Sequence, residues 1–133
     1  HNYFPENHFS GYTILGAAAA GEKHHLGLKI LMDIFELNGW KTFYYGVNTP
    51  TPSLIKAIKE NQADILALSA TMPENINSIQ TTIKIIREEV PNNLKIIVGG
   101  KAFQYNKAQW KKIGADGFAE DAVQAVKTAE KLR

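Results

Sequence analysis

A doubly wound α/β fold is what this sequence predicts, and three observations predict it. Short apolar runs suited to strands alternate five times with longer amphipathic stretches suited to helices. Two of those runs, Asp64–Ser69 and Leu94–Val98, are apolar almost throughout, as strands covered on both faces are. With 133 residues, 44% of them hydrophobic, one domain can bury a core without crosslinks.

Residues 1–11 carry no period and contain Pro5 and Gly11, so they read as a tail or linker, with 12–133 as the folded domain. Tyr12–Ala17 is the first strand and Ala18–His25 the loop that follows. Leu26–Leu37 reads as a helix, its apolar positions Leu26, Ile30, Leu31, Ile34, Phe35 and Leu37 recurring at three- and four-residue spacings. Asn38-Gly39 closes it. Lys41–Tyr45 is a second strand, rich in aromatic and β-branched residues, with Phe43, Tyr44 and Tyr45 expected in the core. Thr51-Pro52 starts a helix, threonine as cap and proline in the first turn, with Leu54, Ile55 and Ile58 as its buried stripe. Asp64–Ser69 is the third strand.

Glu74–Glu89 is a long helix with Ile76, Ile79, Ile83 and Ile86 facing inward, stopped by Pro91. Leu94–Val98, the fourth strand, runs into Gly99-Gly100. A short helix around Lys107–Ile113 leads to a small fifth strand near Asp116–Phe118. The last helix, Asp121–Leu132, presents Ala122, Val123, Ala125 and Val126 to the sheet. Right-handed crossovers then give a five-stranded parallel sheet with helices on both faces. The expected strand order is the flavodoxin-like 2-1-3-4-5. Trp40 and Trp110 are expected to pack against the sheet.

Composition removes several functions. A net charge of +2 with no basic stripe argues against a nucleic-acid surface. The absence of cysteine removes disulfides, thiolate metal sites, iron–sulfur clusters and a cysteine nucleophile. No apolar stretch approaches the roughly 20 residues that span a bilayer, and no secretory leader is visible, so a cytoplasmic location is expected. The chain opens on His1 without a methionine, which suits a piece cut from something longer.

In such a sheet, ligands bind at the carboxyl ends of the strands, where strand order reverses. The unusual residues fall there: Gly21–Gly27 after strand one, Ser69 and Thr71 after strand three, Gly99 and Gly100 after strand four. Together these loops should form one site. His24 lies at or just before a helix N-terminus, where the dipole disfavours imidazolium, and neutral imidazole is the metal-coordinating form. Glu22 can engage the other ring nitrogen and raise the donor strength of the first. The plainer alternative is two surface histidines in a loop. Gly99-Gly100 either admit a ligand close to bare backbone or form a tight turn, and Ser69 either faces a ligand or satisfies a local backbone group. Zinc would need further ligands that are not nearby. Ser69 lacks the glycines of a nucleophile elbow, and Gly16, Gly21 and Gly27 do not have dinucleotide-site spacing.

These residues, in this order, resemble the cobalamin-binding domain family of methionine synthases, corrinoid methyl-transfer proteins, cobalamin-dependent mutases and light-sensing repressors. The first family signature, an acidic residue, any residue, histidine, two of any kind and glycine, is matched by Glu22-Lys23-His24-His25-Leu26-Gly27. Ser69 within Leu68-Ser69-Ala70-Thr71 matches the second, and Gly99-Gly100 the third. Gly46 and Pro50 fit the stretch after strand two, and the likeness runs from about Ile14 to Leu132.

The resemblance implies that His24 is the lower axial cobalt ligand of adenosylcobalamin or methylcobalamin, displacing the dimethylbenzimidazole. The freed nucleotide would descend into a slot lined by Ser69 and Gly99-Gly100, and Glu22, Gly27 and Thr71 are the further residues expected to bind the cofactor. Two departures stand out. Glu22 replaces the commoner aspartate, as in the light-sensing branch, and Asn75 stands where the methyl-transfer branch has a relay serine. Both count against a proton-coupled methyl cycle and favour a sensor or carrier, and the expected function is the sensory module of a B12-dependent, light-responsive transcription regulator, without catalysis of its own. The alternatives are a methyl-carrier domain serving a methyltransferase and a cobalamin-free response-regulator-like or structural domain. An upstream helical bundle or partner domain is expected to cap the upper face of cobalt.

Overall fold

A computed structural model describes residues 10–19, 26–46, 49–90, 93–106 and 108–133. The strands are β1 (Thr13–Ala18), β2 (Lys41–Tyr44), β3 (Ile65–Ser69), β4 (Lys95–Gly99) and β5 (Gly117–Ala119). The helices are α1 (Leu26–Leu37), α2 (Thr51–Asn61), α3 (Ile76–Glu89), α4 (Gln109–Lys112) and α5 (Ala122–Leu132). Short 3-10 turns, Pro73–Asn75 and Lys101–Gln104, follow β3 and β4. All strand pairs are parallel and the order is 2-1-3-4-5, as expected. No helix among the described residues is long and apolar enough to cross a membrane.

Alternation along each strand builds two cores. Leu15, Ala17, Leu66, Leu68, Ile96 and Val98 face α2, α3 and the α4 side. There α3 buries Ile76, Ile79, Ile83 and Ile86 on one stripe, the residues its spacing predicts. Each such burial is worth on the order of 1.5–3 kcal/mol. Ile14, Ala18, Ile65, Ala67, Ile97 and Ala119 face α1 and α5. Trp40 is buried on this side, edge-on to Phe35 with ring centroids 5.3 Å apart. Trp110 packs half-buried against the other core.

At the amino edge of the sheet two aspartates act alike. Asp64 donates its N–H to the Thr13 carbonyl (2.9 Å), while its Oδ2 accepts from the Thr13 N–H (2.8 Å). Asp116 holds Ile96 in the same way, at 2.7 and 2.8 Å. Arg87 of α3 donates to Asp116 Oδ2 at 2.6 Å and to the carbonyls of Leu94 and Gly114, tying the helix to this edge.

Four local expectations need correction. Thr51 does not cap α2: Pro50 occupies the cap position in an extended conformation, no side chain caps the helix, and Thr51 lies inside it with Oγ1 3.4 Å from Thr82 Oγ1. The α1 face turned to the sheet is Leu28, Met32 and Phe35; Ile30 and Leu37 are about half exposed, because the helix is apolar on more than one side. In α5 the inward residues are Ala125, Val126 and Ala129, with Val123 at 64% exposure on the outer side and Ala122 intermediate. Tyr45 leaves the sheet and is exposed, while Phe43 and Tyr44 pack half-buried. Strands β1, β4 and β5 each sit one residue later than expected, a shift that leaves their inward faces unchanged.

Candidate functional site

A groove with a cavity of about 290 Å³ opens at the carboxyl edge of the sheet and runs down its α1/α5 face. Small side chains create it: Ala67 in β3, Ala119 in β5, and Ala122 and Ala125 in α5 leave the helices too little bulk to fill the space. Gly99 at the end of β4 adds to it. Aliphatic residues Leu28, Ile30 and Leu31 of α1 form the opposite wall.

Five of the seven expected site residues line this groove: Gly27, Ser69, Thr71, Gly99 and Gly100. The topology is what unites them. Ser69 and Gly99 are register partners on neighbouring strands, and Ser69 also pairs with Ala18 of β1. Glu22 and His24, with His25, lie outside the described residues. They precede α1, whose first turn carries Gly27 at the groove.

The glycines divide into two kinds. A side chain on Gly100 would run into the carbonyl of Ala70, and its backbone has φ 103° and ψ 164°, a region essentially reserved for glycine. A Cβ on Gly99 would stand 2.9 Å from the Ala119 carbonyl oxygen. The fold itself therefore demands both glycines, the tight-turn alternative, and they line the groove as well. Gly27 differs: a Cβ there meets no described atom within 4 Å. Packing among the described residues does not explain it.

Glu120 and Asp121 also stand on the groove, at the start of α5. Asp121 caps that helix, accepting from the Gln124 N–H at 2.8 Å. The sequence places Asp121 at the start of the last helix without revealing the groove; the only trace of it is Ala119, Ala122 and Ala125, three residues apart, around two acids. Tyr44, at the carboxyl end of β2, has its phenol pushed above the usual tyrosine range by burial, so it is neutral at physiological pH. A second cavity on the opposite face lies among Thr49, Thr51 and Thr82 and touches none of the expected residues.

The groove suits a flat, mostly apolar group with a polar end. Its volume is at the low end for small-molecule sites. A bicyclic base with a sugar can enter it, whereas a macrocycle must rest outside on the strand ends.

A family profile described as "B12 binding domain" matches residues 12–127. The chain is 30% identical over 121 residues to dimethylamine corrinoid protein 1 of Methanosarcina acetivorans, covering 90% of this chain and 56% of that one. It thus spans about half the length of the curated relatives it matches. Among solved structures it is similar to a cobalamin-binding protein from Desulfitobacterium hafniense, at 27% identity and TM-score 0.83, covering 92% of this chain and 59% of that one. It also shares the fold of a chain in the methanol:cobalamin methyltransferase complex MtaBC from Methanosarcina barkeri, at 21% identity and TM-score 0.81, covering 90% and 45%.

Proposed function

The chain belongs to the B12-binding domain family, and from that premise we propose that it is the corrinoid-holding domain of a methyl-carrier protein, with His24 as lower axial ligand. A bound corrinoid's cobalt supplies the acceptor and donor site for the methyl group. This chain's residues position that group. His24, two residues before α1 in the sequence, would supply a neutral imidazole to the cobalt, and Glu22 would accept a hydrogen bond from its other ring nitrogen, fixing the tautomer. Ser69, Thr71 and the Gly99-Gly100 turn form the mouth of the groove that receives the displaced nucleotide. The aliphatic walls of α1 and the alanines of α5 exclude water around its base.

The observation that carries this reading is the groove itself, apolar in depth and lined at its mouth by residues from three separate loops. A partner enzyme is part of this reading, by analogy with the methyltransferase complex in which a chain of the same fold is found. The names of the relatives, an amine corrinoid protein and a methyltransferase complex, support a carrier. The light-responsive regulator expected from Glu22 and Asn75 gains no support from them. It keeps one argument, those two departures, of which Asn75 sits at the start of α3. A methyl-carrier protein should keep its oligomeric state on illumination, whereas a regulator carrying adenosylcobalamin should change it.

Titration with hydroxocobalamin tests the central claim. The chain should give a base-off, histidine-ligated visible spectrum, and His24→Ala should bind more weakly without the histidine signature. A base-on spectrum in the unmodified chain, or an unchanged one in the variant, overturns the ligand assignment.

A further inference from the structure

The groove's chemistry changes along its length. Its polar side chains, Ser69, Thr71, Glu120 and Asp121, all come from the carboxyl edge. Two residues back along β3 and β4 the walls are Ala67 and Ile97, register partners of each other. Ile14 lies four residues below Ala18, which pairs with Ser69, so its level is roughly 13 Å beneath the mouth at about 3.3 Å per residue. Phe35, eight residues along α1 from Gly27, reaches a similar depth, roughly 12 Å at 1.5 Å per residue.

Below the mouth, no described side chain on the groove carries a hydrogen-bonding group. The strand backbone there is engaged as well: Ile14 pairs with Ile65, and Ala67 with Gly16 on one side and Ile97 on the other. A base that enters must satisfy its own polar atoms or leave them unpaired.

We infer that this groove discriminates among corrinoids by their lower base, accepting benzimidazole- and phenol-type bases and rejecting purines. The inference rests on the reading of the groove as the slot for the nucleotide. A benzimidazole freed from cobalt brings one unpaired ring nitrogen. An adenine brings two further ring nitrogens and an exocyclic amine, each bonded to water outside and to nothing among Ala67, Ile97, Ile14 and Phe35. Buried polar groups without partners carry their full desolvation cost. Sites discriminate most strongly through such unpaired groups. A phenol-type base linked through its oxygen brings none.

Equilibrium titrations of the full chain with cobalamin, adeninyl cobamide, phenolyl cobamide and cobinamide, which lacks the nucleotide, test this. Adeninyl cobamide should bind at least about tenfold more weakly than cobalamin, and phenolyl cobamide at least as tightly as cobalamin. Equal affinity for the adeninyl and benzimidazolyl forms, both tighter than cobinamide, overturns the discrimination and leaves the slot reading standing. If none of the three complete corrinoids binds more tightly than cobinamide, the slot reading fails and the inference with it. Ala67→Ser places a hydroxyl halfway down the groove and should narrow the adeninyl deficit while cobinamide affinity, a check on folding, stays constant. An unmoved ratio in that variant overturns the assignment of selectivity to the groove's depth.

Discussion

Gly100 packs its bare Cα against the carbonyl of Ala70, the residue that follows β3, and that same carbonyl accepts the Ala102 N–H at 3.1 Å. The end of β4 is thereby stitched to the end of β3 at the mouth of the groove. Gly100→Ala must relieve a collision with backbone and leave a conformation almost closed to other residues. The strain alone costs about 1–3 kcal/mol, and displacement of the Ala70 carbonyl adds to it. Urea denaturation without corrinoid should show a loss of at least about 2 kcal/mol. A loss under about 0.5 kcal/mol would mean that the turn relaxes freely.

Asp64 and Asp116 brace the opposite edge, each gripping a neighbouring strand by one backbone and one side-chain hydrogen bond. Replacing either by alanine strands a strand N–H and should cost about 1–3 kcal/mol, whereas asparagine, still an acceptor, should cost less. For Asp116 the partly exposed Arg87 pair adds only a small further amount, because solvent screens it. Because both sit at the amino edge and the groove opens at the carboxyl edge, cobalamin affinity at low temperature should not change. Chemical denaturation and a corrinoid titration on the same variants separate the two effects.

Burial raises the Tyr44 phenol above its ordinary value of 10.0. In alkali the unfolded chain therefore releases this proton before the folded one does. The stabilisation is complete below pH 10.0 and is lost as pH climbs from there through the folded value. The stability difference between wild type and Tyr44→Phe should be flat from pH 7 to about 9 and turn against the wild type above about pH 10. Thermal melts of both proteins across that range check it; parallel curves throughout would show that burial does not shift this group.

Much of this fold was legible because strong periodicity leaves little choice. In α3, Ile76, Ile79, Ile83 and Ile86 are the only large apolar positions that align, apart from the half-exposed Ile85, and all four are buried. In α1 the same reasoning misplaced the inner face, since leucines and isoleucines surround the helix and only the packing of Leu28 and Met32 on the sheet selects one side. Pro50, not Thr51, is the cap residue of α2: an extended proline stands ahead of the helix with no side-chain cap, and Thr51 is already its first residue. At the site, Ser69, Thr71 and the glycine pair could be placed from topology alone. The groove could not, because it arises from what Ala67, Ala119, Ala122 and Ala125 lack, and missing volume leaves no motif.

Gly27 offers the sharpest separation of folding from binding. It is the second residue of α1, where glycine sacrifices backbone entropy, and alanine normally stabilises a helix by about 0.5–1 kcal/mol, less near an end. Its φ lies outside the left-handed range and no described atom stands within 4 Å of where a Cβ would go, so nothing among the described residues resists the methyl group. Gly27→Ala should accordingly leave the corrinoid-free melting temperature unchanged or slightly raised. The same methyl group projects at a residue that lines the groove. If a corrinoid fills that space, the added carbon must push it outward, and affinity for cobalamin should fall by roughly tenfold, about 1.4 kcal/mol. Differential scanning calorimetry without cofactor and a visible-absorption titration with it measure the two sides independently. An unaltered affinity would place the corrinoid away from the start of α1, and with it the imidazole three residues earlier.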